Sequence, residues 1–514
     1  MSSARNLGIQ TEFTRREALA VIGSGLALSL HAACSPDVGG ESPMAESDVP
    51  IHYWSLMETA RALRAGDLSP VDLTRRLLNR IEALDGDLES YATVTPQRAM
   101  DSARAAETEI EAGNYRGPLH GVPIGIKDLC YTRGVRTMGG MAVYADFIPD
   151  YDATVVARLE AAGAIALGKL NLSEGAWNPH HPDFGVPKNP WDRSRWTGLS
   201  SSGSGVATAA GLCYASLGTD TGGSIRYPCA ANGLVGLKPT YGRVSRYGVL
   251  PLAHTLDHVG PITRRVVDAA VMFETIAGAD PNDPTSLDAP VPSMVEDLDR
   301  GVRGLRLGWD RGYTTTDVEP RVSGAIEAAL AELESQDAEI VDAEMPEYEE
   351  AIEAWFTICY AEAAAAHRET YPSRIEEYGP GFRPVLEQGA NVTGAEVGDA
   401  LRIRTGFSTR LRHMLSTVDA FICPAVWCAP GVYTDAEVLG AARPVDPSPW
   451  DHDVFTKPTD LSGSPSLTLP CGFTAEGLPL AFQLIGSHRS EPLLLQVGQA
   501  YEQATEWHLR HPEV

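Results

Sequence analysis

Residues 196–239 read WTGLSSSGSGVATAAGLCYASLGTDTGGSIRYPCAANGLVGLKP, and this stretch limits the fold more than any other. Two serine-and-glycine knots, residues 198–205 and 219–224, flank a run of small residues at 206–211. Such a run is poor material for a bulky core. Glycine adopts φ > 0 and lets backbone approach a ligand closely. Successive N–H groups in turns of this kind form anion-binding nests. A serine beside a nest is a candidate nucleophile with its oxyanion donors already placed. A tight-turn linker between elements of an α/β fold explains the same residues, because a nest alone says nothing of catalysis.

The chain has 514 residues, 41 Lys+Arg and 68 Asp+Glu, for a net charge of −27. That length allows several domains, but large α/β enzymes fold as one unit. No domain-sized linker is visible after residue 50. The negative charge argues against binding a nucleic-acid backbone and against an anionic membrane surface. The 8 cysteines are scattered with no C-x-x-C pair, so neither a zinc pattern nor a small disulfide scaffold is expected.

Residues 1–34 read as an export signal. Arg15 and Arg16 precede a mildly apolar stretch that is too short to span a membrane. The arrangement is similar to a bacterial twin-arginine signal, and LHAAC also resembles a lipoprotein cleavage box ending at Cys34. A periplasmic or lipid-anchored location follows as an expectation. Residues 35–50 are rich in Pro, Gly, Ser and acid and read as a flexible tether.

From residue 51 the pattern is α/β. Ser55 and Glu58 have capping-box spacing, and Pro70 after Ser69 marks a second helix start. In GVPIGIKD, Val122, Ile124 and Ile126 alternate along a short strand that ends at Lys127 and Asp128. A lysine after a buried strand is a candidate base of lowered pKa. A surface lysine paired with Asp128 is the plain alternative. Residues 163–169 nearly form a phosphate loop, but Leu170 stands where Ser or Thr would bind magnesium, so a nucleotide site is rejected. His180 and His181 are adjacent and lack metal-ligand spacing. Residues 318–336 form a helix with Val322, Ile326, Leu330 and Leu333 on one face. Residues 348–415 are largely helical. A helical cap over a pocket is therefore expected at about 318–415. No G-x-S-x-G elbow and no dinucleotide fingerprint occur, so neither chemistry has an anchor.

Taken together, Lys127 in GVPIGIKD, the run GLSSSGSG, GTDTGGSIR ending at Arg226, and GLKPT resemble the amidase signature family. The likeness continues through FTKPTDLSGSPSLTLPCGF and GLPLAFQLIGSHRSEPLLLQ and covers roughly residues 55–512. It implies one large α/β domain with a mixed, mostly parallel central sheet surrounded by helices. It also implies a Ser–cis-Ser–Lys triad with Ser224 as nucleophile, Ser200 as bridge and Lys127 as base. The N–H groups of Thr221, Gly222, Gly223 and Ser224 are where its oxyanion hole falls. Leu199 and Ser202 depart from the family's glycine-rich run. Ser201 is expected to touch substrate, Asp220 to support the site from behind, and Arg226 to brace the nucleophile loop. Trp177, His180, His181 and the helices of 350–415 are expected to shape the pocket, although core packing explains them equally. The implied activity is hydrolysis of a small carboxylic amide by a monomer or homodimer, with no metal, cofactor or nucleic acid. The family also includes amidotransferase subunits that act in tRNA-dependent complexes, which is the alternative.

Overall fold

The short apolar runs of the sequence resolve into one eleven-stranded sheet. A computed structural model of the chain describes residues 49–440 and 453–514. The expected export signal, Cys34 within it, and the tether as far as residue 48 lie outside the described residues. Ser55 caps the first helix through the Glu58 N–H, and the Glu58 carboxylate accepts from the Ser55 N–H in return, as the capping box requires.

The strands in chain order are β1 (Tyr91–Val94), β2 (Pro123–Lys127), β3 (Ile165–Leu170), β4 (Ala215–Asp220), β5 (Val235–Lys238), β6 (His258–Thr263), β7 (Arg306–Trp309), β8 (Glu339–Asp342), β9 (Ala420–Pro424), β10 (Ser466–Phe473) and β11 (Pro479–Ile485). Their spatial order is β1-β3-β2-β4-β6-β5-β10-β11-β9-β7-β8. Only β2–β3, β2–β4, β7–β8 and β7–β9 run parallel. The other pairs, including the whole centre from β4 to β9, are antiparallel. The single α/β domain and mixed sheet are as expected, but the sheet is mostly antiparallel rather than mostly parallel. The reason is in the connections. Parallel neighbours need a long crossover, whereas β10 and β11 are joined by five residues and pair as a hairpin.

The small-residue stretch is not a linker. Residues Ser202–Ala209 form a wholly buried helix, α1, which leads into β4. A second buried helix, α2 (Arg226–Asn232), follows the turn after β4. Small side chains are what allow α1 to sit there. A Cβ on Gly203 would lie 2.4 Å from the Asn171 carbonyl oxygen and 2.5 Å from that of Ser90. The α1–β4–α2 unit thus packs against backbone, which bulky residues could not do.

The helix Pro320–Ser335, expected in the cap, packs instead against β8 to β11. The rest of that span gathers on α3 (Glu349–Ala366): α4 (Arg383–Asn391) and α5 (Gly394–Leu415) both pack against it, and α3 and α5 also pack on the short helix α6 (Lys457–Ser462). Among the described residues, no helix is long and apolar enough to cross a membrane. The seven described cysteines are free and buried.

Candidate active site

Alternation along β2 sends Lys127 and Asp128 in opposite directions. Asp128 meets Lys169 of β3 at 3.2 Å, and Lys169 also donates to the Cys130 carbonyl and the Thr137 hydroxyl. The lysine of the near phosphate loop is therefore a buried structural cation, and the Lys127–Asp128 pair does not form. Lys127 is fully buried. Its Nζ lies 2.8 Å from Ser200 Oγ, 2.8 Å from Ser201 Oγ and 2.7 Å from Thr219 Oγ1, with no ion-pair partner among the described residues. Burial brings its pKa down from 10.5 to about 7, against the opposing pull of Cys130, Asp220 and Asp257.

A neutral lysine has two N–H bonds and one lone pair, which match three hydroxyl neighbours. Ser201 Oγ donates to the Thr219 carbonyl at 3.2 Å and accepts from the Thr219 N–H at 3.2 Å. Its single proton is committed, so it accepts from Lys127 rather than giving to it. Ser200 keeps its proton for the lysine lone pair. Ser201, expected at the substrate, is instead fully buried beneath the site. The Leu199–Ser200 peptide is cis, as the family resemblance implied, and Leu199 lines the same cavity as Ser224.

Ser224 sits in the turn between β4 and α2. Asp220 shapes that turn from within: its carboxylate accepts from the Gly223 N–H at 2.6 Å and the Ile225 N–H at 3.0 Å. Arg226 binds the same carboxylate through Nε at 3.0 Å and Nη2 at 2.9 Å. It reaches on to Asp460 at 2.5 Å, the Thr456 carbonyl at 3.0 Å and Thr459 Oγ1 at 2.6 Å. Burial alone would raise the Asp220 carboxyl, but the guanidinium holds it well below the usual carboxylate range. The Gly223 N–H, one of four expected oxyanion donors, is thus taken by Asp220. The N–H groups of Thr221, Gly222 and Ser224 have no protein acceptor among the described residues. A Cβ on Gly222 would lie 2.7 Å from the Trp355 ring, so glycine is required there.

Ser224 opens onto a cavity of about 200 Å³ walled by Trp177, Tyr227, Trp355 and Phe356. Trp177 and Trp355 stack with centroids 6.0 Å apart. Trp355 Nε1 donates to the Thr221 carbonyl at 2.8 Å and Thr456 Oγ1 to that of Gly222 at 2.6 Å, so the cavity wall and the turn are one assembly. Trp177 lines the cavity as expected. His180 and His181 do not: the first faces Ser202 and the second Asp183. Sequence reasoning assigned no role to Lys457 and Asp453, which form an ion pair at the cavity. Lys457 Nζ lies 4.7 Å from the ring centres of both Trp355 and Phe356, and burial brings its pKa to about 7. The i,i+4 spacing of the pair was visible, but nothing local said that it faces Ser224. Among the described residues, no group of three or more His, Cys, Asp or Glu is arranged to hold a metal ion.

Comparison with known proteins identifies the family of the chain. The model of the Amidase family matches residues 72–495. The protein AmiD of Mycobacterium tuberculosis, a putative amidase by name, is 43% identical over 460 residues, which is 89% of this chain and 96% of that one. A glutamyl-tRNA(Gln) amidotransferase subunit of Geobacter sp. (strain M21) is 39% identical over 490 residues, or 90% of this chain and 98% of that one. The crystal structure of a peptide amidase in complex with chymostatin superimposes with a TM-score of 0.79 at 31% identity, covering 90% of this chain and 99% of that one.

Removing the Asp220 carboxylate should damage stability as well as activity. Asp220→Ala strands a buried guanidinium and frees the Gly223 and Ile225 N–H groups, so a loss of about 3–5 kcal/mol is expected. Urea unfolding followed by fluorescence measures it; a loss below about 1 kcal/mol would show that the pair does not hold the turn.

Proposed function

The chain belongs to the amidase signature family, and on that premise we propose that it hydrolyses a carboxylic amide through an acyl-enzyme on Ser224. The observation that carries this reading is Lys127, buried without an ion-pair partner among the described residues, against Ser200. Ser224 Oγ bonds to the amide carbon. Its proton passes through Ser200 to neutral Lys127 and on to the leaving nitrogen as the C–N bond breaks. Water then bonds to the acyl carbon, the C–Oγ bond breaks, and Ser224 recovers a proton by the same relay. Free N–H groups at Thr221, Gly222 and Ser224 are the candidate oxyanion donors; one such donor is worth about 10²–10³ in rate. The aromatic walls support a moderately apolar acyl group.

The amidotransferase reading has the Geobacter relative in its favour. The net charge of −27 weighs against a tRNA-dependent role, since phosphate contacts need cations. Export across a bacterial inner membrane remains part of this proposal on the strength of residues 1–34 alone.

Ser224→Ala should lower kcat on simple aryl and alkyl amides at least about a thousandfold; wild-type turnover in that variant would refute the assignment. The pH dependence follows from Lys127. Only its neutral form accepts a proton, so kcat/KM should rise with pH through about 7 and level off above it. Lys457 titrates in the same range, so Lys457→Met separates the two: the rising limb persists if Lys127 is the base and disappears if Lys457 governs it.

A further inference from the structure

The acyl-transfer chemistry gives no part to Lys457 and Asp453. Among the described residues that line the cavity in front of Ser224, they are the only charged ones. Each is the other's ion-pair partner, across the i,i+4 spacing that leads into α6. The side chains of Lys457 and Asp453 are 6% and 21% exposed, so neither charge is left to bulk water. Lys457 Nζ lies 4.7 Å from the ring centres of Trp355 and Phe356, whose π-faces attract a cation. Tyr227 Oη lies 3.2 Å from the Asp453 carboxylate.

The pair stands close to the nucleophile. A Cβ on Gly222 would meet the Trp355 ring at 2.7 Å, and one on Gly223 would meet the Tyr227 ring at 2.5 Å. Trp355 therefore lies between Lys457 and the Ser224 turn, and Tyr227 lies between Asp453 and the same turn. At roughly 30 Å³ for a group the size of water, the cavity of about 200 Å³ takes an acyl chain of about six or seven heavy atoms. A guest of that length, with its carbonyl at Ser224, places its far end among the rings that hold the pair.

We propose that Lys457 and Asp453 are a specificity-determining pair: by neutralising each other they leave the cavity without net charge and confine the enzyme to amides whose acyl group is uncharged. This rests on the amide-hydrolase reading above. An ammonium on the acyl group meets Lys457 and finds the Asp453 carboxylate taken. A carboxylate there meets Asp453 and finds the Lys457 ammonium taken. Either guest must break the pair or enter a largely buried space unpaired, and both are costly. An uncharged chain leaves the pair intact and packs on the rings. Each member is thus a latent counter-ion, and removing one exposes the other. A pair that merely anchors α6 would have no such opposite effects on two charged substrates.

Three amides that differ only at the far end of the chain test this: hexanamide, 6-aminohexanamide and 5-carboxypentanamide. Their kcat/KM values are compared at about pH 6.5, where Lys457 keeps its proton. Wild type should take hexanamide at least about tenfold better than either charged amide. Lys457→Met should raise the ratio of the amino amide to hexanamide about tenfold, and Asp453→Asn should raise the ratio of the carboxy amide to hexanamide by a similar factor. Lys457→Arg, which keeps the pair, should keep the wild-type order. Each ratio is taken on one protein sample, so a loss of overall rate does not obscure it, and either variant is sufficient if the other does not fold. A wild type that prefers a charged amide, or folded variants that leave both ratios unchanged, overturns the role of the pair. Turnover of none of the three amides by wild type, or wild-type turnover of hexanamide by Ser224→Ala, removes the hydrolase reading instead, so the two failures are distinguishable.

Discussion

Lys127 is a lysine buried without a carboxylate to pair with, and the surrounding structure is arranged to tolerate that. Burial of an ionised ammonium is costly unless it is paired. Here the pKa falls to about 7 instead, and three hydroxyls replace the counter-ion. Lys169, on the neighbouring strand, shows the contrasting solution: it keeps Asp128 at 3.2 Å. Two buried lysines about a strand apart thus have different fates. One is neutralised by a partner, and the other is left free to exchange a proton.

That arrangement demands close backbone packing. Ser200 and Ser201 reach Lys127 because α1 is made of small residues that settle between Asn171 and Ser90. Thr219 reaches it from β4, and the same strand carries Asp220, whose carboxylate templates the turn that presents Ser224. Arg226 binds Asp220 on one side and α6 on the other, and α6 carries Lys457 to the cavity wall. The hydroxyls around Lys127 and the Asp220–Arg226 group that shapes the Ser224 turn are therefore two polar clusters held side by side by the end of β4. Clusters of this kind are rigid only when every member is satisfied.

Much of this was legible in the sequence, and the divisions are physical. The α/β pattern, the capped first helices and the strand that ends at Lys127 follow from period and turn residues, which are local. The triad positions follow from motif resemblance, because spacing alone cannot bring Lys127 to Ser200 across 73 residues. The direction of strand pairing did not follow, since β5, β6 and β10 pair through contacts that no local pattern encodes. The misplaced expectations have similar causes. Ser201 and Gly223 carry the right groups at the right loop, but each is already engaged, Ser201 with Thr219 and Gly223 with Asp220. The helix Pro320–Ser335 has the apolar face of a cap helix and of a sheet-packing helix alike. Lys457 and Asp453 acquire meaning only once α3 and α6 meet over Ser224.

The central claim is that Ser224 carries the acyl group, and mass spectrometry of the quenched enzyme tests it most directly. The enzyme is mixed with excess 4-nitrophenyl ester, quenched in acid within the first turnover and digested. The account predicts one acyl increment, on the peptide that contains Ser224. An increment on the peptide holding Ser200 and Ser201, or turnover with no covalent adduct at any quench time, would contradict it.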